Sequence, residues 1–352
     1  MMPQPALSQT GNCLPSGIST IVAVRRRVQI LFGKRLCLWQ YRVPEAIWQG
    51  KHVVLNVGTG QGKTLAFYTQ ALVAPGKTQI IVTALNVLAA QNVAQLRAAG
   101  ISAIAIIGDD ATPENFKVCP IAISQGSRND APQDIAAGKY AVVITSPEQT
   151  MKPGGGFEKL FSSPEFRARL TCVIFDEAHC ISQWGSFRAE YTEISRLRHQ
   201  LPCIPMVFAS ATFSPLILSD IKMQFDLTAE NTLYIQRPND RPNVHITVRT
   251  IERAISSYAD LAFLIPEGDN IPQKFLIFFD SINECVAAGS SLRHRLPPEL
   301  RDKISWFHSE MSDQHKKDEL ERLRKGEIWG LCATDSFRLV MSSSIFASLC
   351  SH

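Results

Sequence analysis

The stretch HVVLNVGTGQGKTLAFYTQAL, residues 52–72, decides the fold. It opens on a short apolar run, turns through three glycines, and continues into a helix-like segment that begins at Lys63-Thr64. Glycines at 58, 60 and 62 let backbone N–H groups approach phosphate oxygens, and a helix start adds a favourable dipole for an anion. The pattern places Thr59, Gly60, Gln61 and Gly62 around the phosphates, Lys63 on the β- and γ-phosphates and the Thr64 hydroxyl on Mg²⁺. Val57 occupies the position where a glycine usually opens such a loop.

Outward from this loop the chain alternates short Val/Ile-rich runs with longer mixed segments. The runs lie at 52–57, 79–85, 101–108, 140–146, 172–179 and 206–212. Nearly continuous apolar character over four to eight residues is how strands buried on both faces of a parallel sheet read. Residues 86–100 have helical spacing, with Gly100 suited to the cap. An α/β domain with a parallel sheet follows. After RPNDRPN (237–243), read as a linker, runs at 274–281, 304–309 and 329–335 predict a second, smaller sheet. Asp313–Lys325 reads as a solvated helix with Asp318/Arg322 and Glu321/Lys325 pairs.

Composition agrees with a globular chain. Of 352 residues, 45% are hydrophobic and 19% charged, with a net charge of +4. That excludes disordered and collagen-like classes and permits nucleic acid without demanding it. No apolar run approaches the roughly 18–20 residues needed to span a bilayer, so no membrane partner is expected. Nine cysteines form no CxxC pair, which argues for reduced thiols and against zinc. Residues 1–44 carry six Lys/Arg and no carboxylate. An acid-free, arginine-containing start fits a mitochondrial transit peptide, but Pro3, Pro5, Gly11, Pro15 and Gly17 weigh against an amphipathic helix there. Residues 1–30 are therefore expected to be a basic, disordered lead-in.

Asp176-Glu177-Ala178-His179 ends a strand-like run in the same pattern. A carboxylate there can hold Mg²⁺, and its neighbour can orient and deprotonate an attacking water. Lys63, Asp176 and Glu177 are the candidate catalytic residues.

The continuation, DEAHCISQWGSFRAEY at 176–191, resembles the RecQ family of superfamily 2 DNA helicases. Trp184 and Phe187 offer faces on which bases stack, and Arg188 offers charge to a phosphate. The resemblance implies that this loop senses single-stranded DNA and couples it to ATP hydrolysis. It also implies that Gln40 reads adenine and that Ser146, Ser210 and Thr212 belong to DNA-contacting or coupling segments. Arg241-Pro242-Asn243, Phe307-His308-Ser309 and CATDSF (332–337) continue the likeness in the second part.

After Phe337 the chain reads RLVMSSSIFASLCSH, without the family's arginine-finger motif. The expectation is a shortened form of a longer helicase, with two RecA-like parallel-sheet lobes of the P-loop NTPase kind, the second incomplete at its C-terminal end. The lobes span 31–236 and 244–352, joined at 237–243. The resemblance implies an ATP- and Mg²⁺-dependent 3′–5′ helicase acting on single-stranded and forked DNA in recombination and repair, in the nucleus of a eukaryotic source. The rivals are an ATP- and DNA-binding module without unwinding activity, an RNA helicase of the DEAH kind, and a structural ATPase fragment.

Overall fold

The computed structural model describes residues 20–83, 86–107, 135–183, 189–240, 244–265, 272–334 and 337. The chain divides into two compact units, 1–240 and 241–352.

In the first unit, β1 (His52–Asn56), β2 (Thr78–Val82), β3 (Ala103–Ile106), β4 (Val142–Thr145), β5 (Leu170–Asp176), β6 (Met206–Ser210) and β7 (Thr232–Gln236) form one sheet. Its order is β3-β4-β2-β5-β6-β1-β7. Every adjacent pair is parallel. The apolar runs supply β1 to β6, and each strand stops short of the end of its run because the last residues turn into loops. β7 has no counterpart among those runs: as an edge strand it buries Thr232 and Ile235 and exposes Tyr234, so it lacks a continuous apolar signature.

Helices cover the sheet. They include α1 (Ile21–Phe32), α2 (Leu38–Trp48), α3 (Lys63–Val73) and α4 (Asn86–Ala98). α1 corrects the expectation of a disordered segment through residue 30. Thr20 caps it by accepting from the Ala23 N–H, and Gly33 ends it in the left-handed region. Val24 and Val28, one turn apart, enter the core, and Phe32 stacks on Tyr68 of α3 at 5.7 Å. Arg26 and Arg27 point to solvent. At the centre of the core, Phe175 of β5, Phe208 of β6 and Phe225 of the helix Pro215–Phe225 form an aromatic cluster.

The expected linker is also more ordered than its composition suggests. Arg237 N–H donates to Asn56 O at 2.9 Å, carrying the β1–β7 ladder one residue further. Residues 241–243 lie outside the described residues.

The second unit contains β8 (Phe275–Phe278), β9 (Ile304–Phe307) and β10 (Gly330–Ala333), in the order β8-β10-β9 and parallel. The helix Ile282–His294 is capped by Ser281. The helix Asp313–Lys325 is capped by Ser312 and ended by Gly326. Lys325 pairs with Glu321 as expected, at 3.6 Å. Arg322 does not take Asp318; it hydrogen-bonds the buried carboxylate of Glu319 at 2.8 Å, while Asp318 accepts from Gln314. A buried carboxylate gains more from a guanidinium than an exposed one does. Among the described residues no helix is long and apolar enough to cross a membrane.

Candidate functional site

In an open parallel sheet the loops at the carboxyl ends of neighbouring strands converge on one crevice. Here β5, β6 and β1 are neighbours, with Asn56 in register with Ser210 and Asp176 with Ala209. The phosphate-type loop, the acidic pair and the Ser-Ala-Thr segment therefore emerge side by side.

Residues 57–62 connect β1 to α3, and Gly62 is the cap of α3 with φ of 91°. A side chain at 62 would be strained by that dihedral, and its Cβ would meet Gln40 Nε2 at 2.5 Å. Gln40, buried in α2, spans the gap: its Oε1 accepts from Cys37 N–H at 2.7 Å and its Nε2 donates to Gly62 O at 2.9 Å. The Gln selected by its distance from the loop is thus physically joined to it. Lys63 is the first residue of α3, and its Nζ donates to Val57 O at 2.8 Å. Val57, standing where a glycine is usual, lends its carbonyl to that bond. Thr64 follows, half-buried, in the first turn.

Across β6, Asp176 closes β5 and accepts from Glu177 N–H at 3.1 Å. Glu177 has φ of 51°, a left-handed conformation costly for a non-glycine residue and commonly found at functional turns. His179 opens the next short helix. Its Nδ1 lies 2.9 Å from Ser210 Oγ and 3.3 Å from Glu177 Oε2. Ser210 Oγ in turn accepts from Thr212 N–H at 3.0 Å.

The two carboxyls are driven apart electrostatically. Burial first, then the charge of Glu177, push Asp176 well above the carboxylate range, against the pull of Lys63, the Glu177 N–H and His179. Burial also raises Glu177, but the His179 hydrogen bond and the charges of Lys63 and His179 outweigh it and leave Glu177 below its ordinary value. The site therefore holds one ionised carboxylate beside one whose charge asks for a further cation. Thr64 and Asp176 are hard oxygen donors suited to Mg²⁺. Among the described residues no cluster of three or more His, Cys, Asp or Glu side chains forms a metal cage. A Mg²⁺ held mostly by phosphate and water needs none.

The other expected site residues fare differently. Ser210 is buried and faces His179, while Thr212 is exposed. Ser146 is buried, and its hydroxyl caps the short helix Pro147–Met151 by accepting from Gln149 N–H, so that hydroxyl is engaged within the fold. Trp184, Phe187 and Arg188 lie outside the described residues. Two participants escaped the sequence reading. His179 bridges the acidic pair to Ser210, and its signal was the last letter of DEAH. Asn239 reaches the Ser-Ala-Thr segment by donating from Nδ2 to Ala211 O at 2.6 Å, and its signal was the repeated Arg-Pro-Asn.

Comparison with known proteins gives a consistent result. A family profile, "DEAD/DEAH box helicase", matches residues 38–221. The chain is 26% identical over 300 residues to ATP-dependent DNA helicase Q-like 2 of Arabidopsis thaliana, covering 85% of this chain and 40% of that protein. It is 30% identical over 210 residues to ATP-dependent DNA helicase RecQ of Pasteurella multocida (strain Pm70), covering 59% of this chain and 30% of that one. The chain thus spans well under half the length of these relatives. Among solved structures, DUF1998 helicase MrfA bound to DNA and AMPPNP superposes with a TM-score of 0.62 at 16% identity, over 91% of this chain and 44% of that one. S. cerevisiae Dbp5 bound to RNA and ADP BeF3 gives 0.54 at 15% identity, over 89% and 73%. At such identities the superpositions speak for the fold.

Proposed function

From the premise that the chain belongs to the DEAD/DEAH box helicase family, we propose that it is the ATP-hydrolysing core of a RecQ-type DNA helicase. The observation that carries this is the run Lys63, Asp176, Glu177, His179 and Ser210 at the ends of three adjacent strands. The substrate reading is supported by relatives that are themselves named DNA helicases.

In this reading the loop amides of 59–62 and the start of α3 receive the β- and γ-phosphates. Lys63 leaves the Val57 carbonyl to pair with them. Thr64 and Asp176 hold Mg²⁺, which when bound neutralises charge developing on the phosphates. Glu177, kept ionised, orients a water and takes its proton as the water oxygen bonds to the γ-phosphorus. The bond from that phosphorus to the β–γ bridging oxygen breaks, leaving ADP and inorganic phosphate. His179 senses the change at Glu177 and passes it to Ser210. The aromatic loop with Trp184, Phe187 and Arg188 is the contact to single-stranded DNA. The working direction is 3′ to 5′ on single-stranded and forked DNA, serving recombination and repair in the nucleus of a eukaryotic source.

The test is phosphate release by the purified chain with no nucleic acid, with single-stranded DNA and with RNA, beside Lys63→Ala. Turnover stimulated by DNA and lost in Lys63→Ala is expected. Stimulation by RNA alone would overturn the DNA assignment. Nucleotide binding without any turnover would favour an ATP- and DNA-binding module that does not unwind.

A further inference from the structure

The phosphate loop is gripped from outside by a segment that belongs to none of the helicase motifs named for this chain. Where β7 ends, Arg237 is still tied to Asn56 by its backbone N–H. The next residue, Pro238, turns its carbonyl to the loop and accepts from Gln61 Nε2 at 2.9 Å. Asn239 then lies against Gly58 so closely that a Cβ at 58 would come within 2.8 Å of Asn239 Oδ1. From its other side the Asn239 amide donates to Ala211 O at 2.6 Å. Ala211 stands between Ser210, which faces His179, and Thr212. Asn56 Nδ2 also reaches Phe213 O, two residues further on, at 3.5 Å. Three stretches far apart in sequence, at 58–61, 211–213 and 237–239, are thus held by side-chain amides and backbone carbonyls.

We propose that Pro238 and Asn239 form a strap that positions the phosphate loop for nucleotide and links its shape to the Ser-Ala-Thr segment, with Asn239 as the positioning residue. This rests on the nucleotide-binding reading above. A glycine-rich loop gains flexibility at the cost of many competing conformations, and an external hydrogen bond on Gln61 with Asn239 packed closely beside Gly58 narrows that set before ligand arrives, which is preorganisation. Asn suits the task because its short amide donates to Ala211 O while its oxygen packs closely against Gly58. Asn239 and Gln61 are accessible to solvent, so their bonds add little to global stability and their loss is felt in the loop.

The test is affinity for a fluorescent ATP analogue, measured on the full chain for wild type, Lys63→Ala, Asn239→Ala, Gln61→Ala and the double variant. Each strap variant should weaken binding about fivefold, the size of one neutral hydrogen bond. The double variant should lose no more than the weaker-binding single, because both act through one strap. Melting temperatures should stay within about 2 °C of wild type. In turnover, Asn239→Ala should raise KM more than it lowers kcat. Asn239→Ala binding as tightly as wild type while Lys63→Ala fails would overturn the strap and leave the nucleotide site standing. Losses that multiply in the double variant would equally overturn a shared strap. A wild-type chain that binds no nucleotide would remove the reading underneath, and the strap with it.

Discussion

His179 Nδ1 stands 2.9 Å from Ser210 Oγ, so an imidazole at the start of the short helix after β5 reads the end of β6 directly. The same nitrogen lies 3.3 Å from Glu177 Oε2, which makes the ring a bridge between the Glu177 carboxylate and the Ser-Ala-Thr segment. Ser210→Ala removes that bridge and the acceptor for Thr212 N–H. Nucleotide affinity should persist, while DNA stimulation of turnover falls roughly two- to tenfold, the worth of one hydrogen bond. Steady-state hydrolysis with and without DNA checks it. An equal fall in both would mean that the bridge serves chemistry rather than coupling.

Gly62→Ala should be the most damaging small change in the loop. Its φ of 91° disfavours any side chain, and the added methyl would strike the Gln40 amide that secures the loop. The backbone strain alone is roughly 1–3 kcal/mol. The expected result is a lower melting temperature together with loss of nucleotide binding. Retained affinity would show that Gln40 can retreat without consequence.

His52 makes stability depend on pH. Its half-buried ring accepts at Nδ1 from Met206 N–H at 3.1 Å, a role open only to an unprotonated nitrogen. Burial lowers its pKa below the ordinary 6.5, with the Asp226 charge opposing. Below that ordinary value the unfolded chain takes up the proton first, so stability present above pH 6.5 drains away as pH falls toward the folded value. Denaturant titrations of wild type and His52→Asn across this range should diverge toward acid, wild type losing more. Parallel curves would mean that His52 titrates alike in both states.

The helix Ile21–Phe32 should behave as part of the first unit's core. Val28→Ala removes two methyl groups from a fully buried site, which costs roughly 1–3 kcal/mol. Arg26→Ala, on the exposed face, should cost less than about 0.5 kcal/mol. Equal, negligible shifts in denaturation midpoint would return this helix to the status of a loose lead-in.

Much of this was legible in the sequence, and the rest was hidden for particular reasons. Apolar runs reported β1 to β6 and β8 to β10 because strands in parallel sheets are mostly covered on both faces. β7, at the sheet edge, offers only Leu233-Tyr234-Ile235 between polar residues, too short an apolar run to stand out. α1 was obscured because Val24 and Val28 are its only fully buried residues, set among arginines. That Lys63, Asp176 and Glu177 lie beside neighbouring strand ends was readable because the motifs that carry them directly follow apolar runs. Asn239 was not, since its partner is the backbone carbonyl of Ala211, and a carbonyl carries no side-chain signature. Ser146 carries two readings at once, since a serine before Pro-Glu caps a helix as readily as it meets a phosphate, and here it caps Pro147–Met151.

The central claim is that the glycine loop and the acidic pair form one hydrolytic site, and Glu177→Gln tests it most directly. The variant keeps the side chain's shape and removes the ionised base. Binding of an ATP analogue close to wild type, with turnover down about 10²–10⁴-fold as for loss of a positioned general base, is the predicted result. Turnover equal to wild type would contradict the account, because the proton of the attacking water would then go elsewhere.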